Sequence, residues 1–414
     1  MKILTLFCLV FSGFVFAQEP TVITLSDVAN HVKKQNYEVL QNAQRVYQAR
    51  ETINFSRRSL MPRLNLWSIA TVVIDWRSAI GLVDEIAPFL VPNNWLRVKQ
   101  SEILYLAKKE QYRALWANEI MNAKILYLNT LRDIDFLETY QEQYNDLKDL
   151  VAIVQARQIS GEVPAQVLNF LKIRELQFSE DLRVLSNLVF EEKKALAYIM
   201  GLPQETSLEL PPMQLPSIEE LNPIEYDTFI FRAISSSPEV KQYKYIQSAL
   251  KYLKKEVWFS FLGASSIARG INGGVFDNIP LQDGLGFGAG PSIRIARSES
   301  HILTIKENAT KEVIKKNLYT LVNKYNSFIV NIDNQNERLN LAVKNYDLLQ
   351  TQILIGQNVD PLEILESITN LLNVKLALLN YKYDAVASTE RLTRIILNGD
   401  YVKVDPILDE VLND

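Results

Sequence analysis

Apolar side chains recur along residues 93–160 in alternating steps of three and four. Counting back from Gly161, they fall at Val154, Val151, Leu147, Tyr144, Tyr140 and Leu137. That spacing is the seam of a coiled coil. No proline or glycine interrupts these 68 residues, which run from Asn93 to Ser160 between Pro92 and Gly161. As one helix they would form a rod roughly 100 Å long, at about 1.5 Å per residue. A second such stretch, Ser292 to Ile355, holds 64 residues between Pro291 and Gly356. Its seam, Ile332, Gln335, Leu339, Ala342, Tyr346 and Leu349, lies at the same distances from its own turn glycine. The steps continue beyond both turns, through Leu168, Leu171, Phe178, Leu182, Leu185 and Val189, and through Leu365, Ile368, Leu372, Leu379 and Val386. Each turn therefore joins two antiparallel helices that zip together.

The segments around the rods also repeat. Leu25 to Met61 predicts a helix, with Ser26 as cap and Pro62 as stop. Residues 63–80 alternate as a strand, and Ile80 to Val91 can return as its partner. A helix follows the first turn from about Ala165 to Met200. After a proline-bearing connector the order restarts, with a helix from Phe229 to Val257 broken around Ser235–Pro238. Val257 to Ala268 reads as a strand. Leu285, Phe287, Ala289, Ile293 and Ile295 alternate with glycine, serine and arginine as its partner. A last helix ends near Leu397. Pro92 and Pro291 lie 199 positions apart, Gly161 and Gly356 195, and Gly201 and Gly399 198. The expected organisation is a signal peptide (1–17), a first repeat (18–203), a connector (204–223), a second repeat (224–399) and a tail (400–414). The expected fold class is mainly α with a small β part: two tandem long hairpins, each with a two-stranded β segment.

Composition is compatible with the bacterial periplasm or outer membrane. Lys2 precedes an apolar run from Ile3 to Phe16, and Val15 and Ala17 supply the small residues of an export cleavage site before Gln18. The single cysteine, Cys8, lies inside that signal, so the mature chain would hold no thiol or disulfide. The net charge of −4 and the absence of a basic face in the sequence argue against nucleic acid as a partner. No later run is apolar enough for a transmembrane helix.

The strand segments suit a membrane differently. Eight of the fourteen glycines fall between Gly263 and Gly290, opposite an apolar face, as for a wall between lipid and a wet lumen. Trp67, Trp76 and Trp258 fall near the strand ends, where an interface favours indole. Four strands cannot close a barrel, and open edges are not tolerated in lipid. Other copies must complete it: two would give roughly eight strands and three roughly twelve.

The whole pattern resembles outer-membrane efflux proteins of the TolC type over nearly the entire mature chain. The resemblance is carried by Leu25-Ser26-Asp27-Val28 with Asn36, by Ser237-Pro238-Glu239-Val240 and by Leu60-Met61-Pro62. Pro88-Phe89 and Gly290-Pro291 before the rods belong to it too. So do the turns, Gly161 to Val167-Leu168 and Gly356 to Ile364-Leu365. It implies a homotrimer in the outer membrane with a long periplasmic helical tunnel, whose strands join one oligomeric β-barrel. It implies a passive export conduit in a tripartite efflux or secretion system, opened by a periplasmic adaptor protein and an inner-membrane transporter. Outer-membrane lipid would be the remaining partner. Gly161, Val163 and Pro164, with Gly356, Val359 and Pro361, would form the periplasmic tip. Glu363 and Glu366 occupy positions where the family carries acidic rings that constrict the tip, with Asp360 a weaker candidate. A ring of carboxylates at a narrow mouth attracts cations, whereas acids near a helix N-terminus are also favoured for themselves.

Nothing in the sequence argues for catalysis, a cofactor or a metal site. His31 and His301 lie in different halves. The glycines from Gly284 to Gly290 alternate within a strand pattern, unlike a phosphate loop. The competing reading is a periplasmic coiled-coil scaffold or adaptor without a pore, which would more simply carry one hairpin.

Overall fold

The computed structural model describes residues 21–62, 87–260, 276, 279–280, 287–354, 357 and 359–402. The expected signal peptide, residues 63–86, 261–268 and 285–286 of the strand pairs (Trp67 and Trp76 among them), Gly356 and most of the tail lie outside these residues.

Among the described residues, eight helices carry the fold. The first four are α1 (Leu25–Gln35), α2 (Tyr37–Arg58), α3 (Pro92–Ile159) and α4 (Ala165–Ile199). The second four are α5 (Tyr226–Ser236), α6 (Pro238–Phe259), α7 (Ala289–Leu354) and α8 (Pro361–Ile395). Their lengths run 11, 22, 68 and 35 residues, then 11, 22, 66 and 35. Two-residue strands β1 (Thr21–Val22) and β2 (Leu208–Glu209) pair in parallel, tying the start of the described chain to the connector.

Helix α3 is the axis, and α1, α2, α4, α6 and α8 all pack on it. Towards one end the order across the molecule is α2, α3, α6, α7. Towards the other it is α4, α3, α8, α7. The result is a stave whose edges are α2 and α4 on one side and α7 on the other. The main core lies where α1, α2 and the end of α4 meet α3. There Val28, Val32, Val39 and Ala43 pack on Trp116, Ala117 and Ile120, with Leu196 and Met200 closing the layer. Each fully buried Val, Leu or Ile contributes about 1.5–3 kcal/mol. A second layer forms where connector residues Ile218 and Leu221, with Ile224 just beyond them, lie on Tyr325 and Ile332 of α7 and Leu378 of α8. Asn326 fixes the connector by accepting from the Ile224 N–H (2.9 Å) and donating to its carbonyl (3.0 Å).

Five expectations are corrected. The first helix is capped by Thr24, not Ser26: Thr24 and Asp27 form a reciprocal capping box. That helix is also broken at Asn36, which ends α1 and caps α2 through the Val39 N–H (3.0 Å). Asn36 also donates to the Ile199 carbonyl (2.8 Å), so the break is held by the end of α4, which local sequence does not report. The third correction is at residues 289–295, which are helix rather than strand. Pro291 sits in the first turn of α7, where its missing N–H leaves no bond unmade. Ser292 donates to the Gly288 carbonyl (3.0 Å), and Ala296 is buried against α6. The alternation of glycine with apolar residues hid a helix start. Finally, residues 257–259 belong to α6, so Trp258 stands on the last helical turn, and residues 88–90 form a short 3-10 turn rather than the end of a strand. The break at Ser237 is found as expected, with Ser237 accepting from the Val240 N–H (3.2 Å).

Candidate channel tip and membrane-facing end

At one end of the stave the two hairpins turn. The first leaves α3 through Gly161, with φ +80°. The Glu162 N–H donates to the Arg157 carbonyl (2.9 Å) and the Gly161 N–H to that of Gln158 (3.1 Å). These bonds satisfy the last carbonyls of α3 with a left-handed cap. Gly161 and Pro164 are exposed and Val163 is half-buried. In the second turn Val359 and Pro361 are buried. Asp360 caps α8, accepting from the Leu362 N–H (2.9 Å). The two tips share one core. Leu147, Val154 and Leu171 of the first hairpin meet Val359, Leu365 and Ile368 of the second.

Glu363 and Glu366 project from the first turns of α8, both exposed, while Ile364 and Leu365 between them point into the shared core. With Asn345, Leu349, Gln352 and Asn370 they line a groove of about 450 Å³ between α7 and α8. The structure thus brings Glu363 and Glu366 to one surface, with Asp360 adjacent and engaged as a cap.

Above the tip, polar bonds stitch α3 to the second hairpin. Lys375 pairs with Glu142 (3.1 Å), Tyr383 donates to Asp135 (2.7 Å), and Arg132 donates to Asn380 (3.2 Å). Nearer the core, buried Lys124 pairs with Asp400 (2.8 Å) and Glu390 (3.2 Å), and Arg394 binds Glu239 (2.5 Å) and Asn118 (2.8 Å). Burial alone would raise the Glu239 carboxyl, and the Arg394 guanidinium outweighs it and holds the group below its usual range. Near the tip Asp146 shows the opposite balance. Burial pushes it up despite a hydrogen bond from Tyr346 and the charge of Lys375.

At the other end α2 and α6 stop and α3 and α7 start. Trp258 is exposed there, and so are Trp95, Phe89, Phe287 and Phe55. The Trp95 indole donates to the Phe89 carbonyl (2.9 Å). Sequence reasoning missed Trp95, although a tryptophan three residues after the proline that opens a rod was a readable signal. Beneath this collar Glu256, fully buried, accepts from Arg97 (2.7 Å) and Gln100 (2.8 Å) and locks α6 to α3. Among the described residues no helix is long and apolar enough to cross a membrane, and no group of acidic, histidine or cysteine side chains has the arrangement of a metal site.

No protein-family model and no curated protein matches the sequence. Solved structures do match the architecture. The channel-forming protein CusC superposes with a TM-score of 0.70 at 13% identity, over 91% of this chain and 92% of that one. The Campylobacter jejuni outer membrane channel CmeC gives 0.70 at 14% identity, over 90% and 85%. The outer membrane protein VceC of Vibrio cholerae gives 0.70 at 13%, over 91% and 96%. This chain has the fold of those channel proteins. The match spans both hairpins.

Proposed function

We propose that the chain is a TolC-type outer-membrane channel: a passive export conduit with a long periplasmic tunnel, in a tripartite efflux or secretion system. The observation that carries this reading is the shared fold over nine-tenths of the chain with proteins that form outer-membrane channels. The subunit would act as a homotrimer, with outer-membrane lipid around its strands. A periplasmic adaptor protein and an inner-membrane transporter would open it and drive export. The matching helix lengths of the two halves support a duplicated body, 18–203 and 224–399, on either side of the 204–223 connector. The apolar side chains left exposed on both edges, such as Leu176 on α4 and Leu341 on α7, support closure by further copies.

The residues 63–86 and 261–286 would enter the membrane, with Trp67, Trp76 and Trp258 at its interface. Glu363 and Glu366, with Asp360 beside them, would ring the tip built from the Gly161–Pro164 and Gly356–Pro361 turns. The test is the purified full chain in detergent and in planar bilayers. A mass of three subunits and a discrete conductance are expected, and a pore-free monomer would overturn the reading. The double change Glu363→Gln and Glu366→Gln should weaken block of single-channel current by multivalent cations by about tenfold or more, as a lost carboxylate ring requires. Unchanged block would remove those residues from the mouth.

A further inference from the structure

The end where α6 stops and α7 starts gathers five positive charges without an ion pair among the described residues. Lys251, Lys254 and Lys255 lie on the last turns of α6, and Arg294 and Arg297 on the first turns of α7. All are exposed except Lys254, which is half-buried. Among the described residues none of the five forms an ion pair. The one acid within this stretch of α6, Glu256, is fully buried and occupied by Arg97 and Gln100. On α7, Glu299 follows Arg297 and leaves the patch strongly basic. Lys254 registers the crowding: burial, then the charges of Arg297 and Lys251, push its ammonium below the usual lysine range.

The same end carries apolar rings on its outer rim. Trp258 stands four residues beyond Lys254, about 6 Å along the helix axis. Phe287 stands before α7, fully exposed. Moving inward from the end, an aromatic layer is followed by a cationic one. A lipid leaflet presents the matching layers, since indole and phenyl rings favour the boundary of acyl chain and headgroup, and basic side chains collect beside anionic headgroups.

We propose that this end of α6 and α7 is a binding site for anionic phospholipid headgroups of the adjoining leaflet, with Lys251, Lys254, Arg294 and Arg297 holding the phosphates and Trp258 and Phe287 at the acyl boundary. The site rests on the membrane placement of that end and adds selectivity for headgroup charge.

The full chain is reconstituted in nanodiscs with equal phosphatidylglycerol and phosphatidylcholine, released into nonionic detergent, and its retained lipid is counted by native mass spectrometry. Retention should favour phosphatidylglycerol by about tenfold and fall with added salt. The fourfold change Lys251→Gln, Lys254→Gln, Arg294→Gln and Arg297→Gln should bring the ratio near one. The pair Arg294→Gln and Arg297→Gln, two exposed positions, should reduce it part-way. Lys316→Gln with Lys324→Gln, further along α7, should leave it intact. Equal retention of both lipids by the unaltered chain would overturn the site, as would a preference surviving in the fourfold variant. Displacement by glycerol phosphate as effective as by the lipid would reduce it to a free-anion site and also overturn the proposal. A chain that does not enter the nanodiscs at all would sink the membrane reading itself, a separate result.

Discussion

Two residues show how single positions constrain the stave. Gly201 ends α4 at φ +72°, and a Cβ there would sit 2.1 Å from the Gln35 carbonyl oxygen. Gly161 has a similar φ with open space around it. Gly201→Ala should therefore cost at least ~2 kcal/mol through clash and strain, and Gly161→Ala only ~1 kcal/mol. Thermal unfolding of the two variants in one detergent checks the order. Glu192 on α4 lies against Asp133 of α3. Burial, then the Asp133 charge, push its carboxyl from 4.5 up to about 7, and one of its oxygens is buried without a partner. A carboxyl whose pKa rises on folding stabilises the fold in its protonated form. Its contribution is fully present below pH 4.5 and is lost as pH rises through about 7. Glu192→Gln should flatten the melting temperature between those values, and an unchanged slope would show that Glu192 titrates normally.

At the scale of elements, helix periodicity explains the hairpins and neighbours explain their ends. The seams were readable because their apolar steps persist over many turns. The halt of α1 at Asn36 was not readable as a break, since Asn36 owes its position to the Ile199 carbonyl and not to the residues beside it. The corresponding break at Ser237 was readable because Pro238 announces it. At the tip, Leu171 is fully buried between the hairpins whereas its neighbour Phe170 is exposed. Leu171→Ala should loosen the tip by ~2–5 kcal/mol, against less than ~1 kcal/mol for Phe170→Ala. Hydrogen exchange of amides near residues 147–171 reports this locally. Equal exchange in both variants would mean the seam does not hold the tip shut.

At the scale of the molecule, the stave leaves two edges unpartnered. Leu176 and Val184 on α4 are largely exposed, as are Ile305 and Leu341 on α7. Apolar rows of this kind mark surfaces meant for burial. In the proposed trimer the α4 edge of one copy would face the α7 edge of the next. Leu176→Asp with Val184→Asp should shift the detergent-extracted protein from trimer towards monomer, read by mass, with the helical signal retained. A stable trimer would place the contact elsewhere.

The sequence by itself determined the rods, their turns, the hairpin pairing and the glutamates set beside the second turn. Each of these is written in local periodicity or in glycine and proline, whose effects do not need distant partners. Only the tertiary structure decided that α3 is the shared axis, that Thr24 and Asn36 set the helix ends, and that α7 starts before Pro291. It also decided that Lys254 lies close to Arg297, some 40 residues away in sequence. Those outcomes depend on which helices lie side by side, and contacts between distant segments leave no period in the chain.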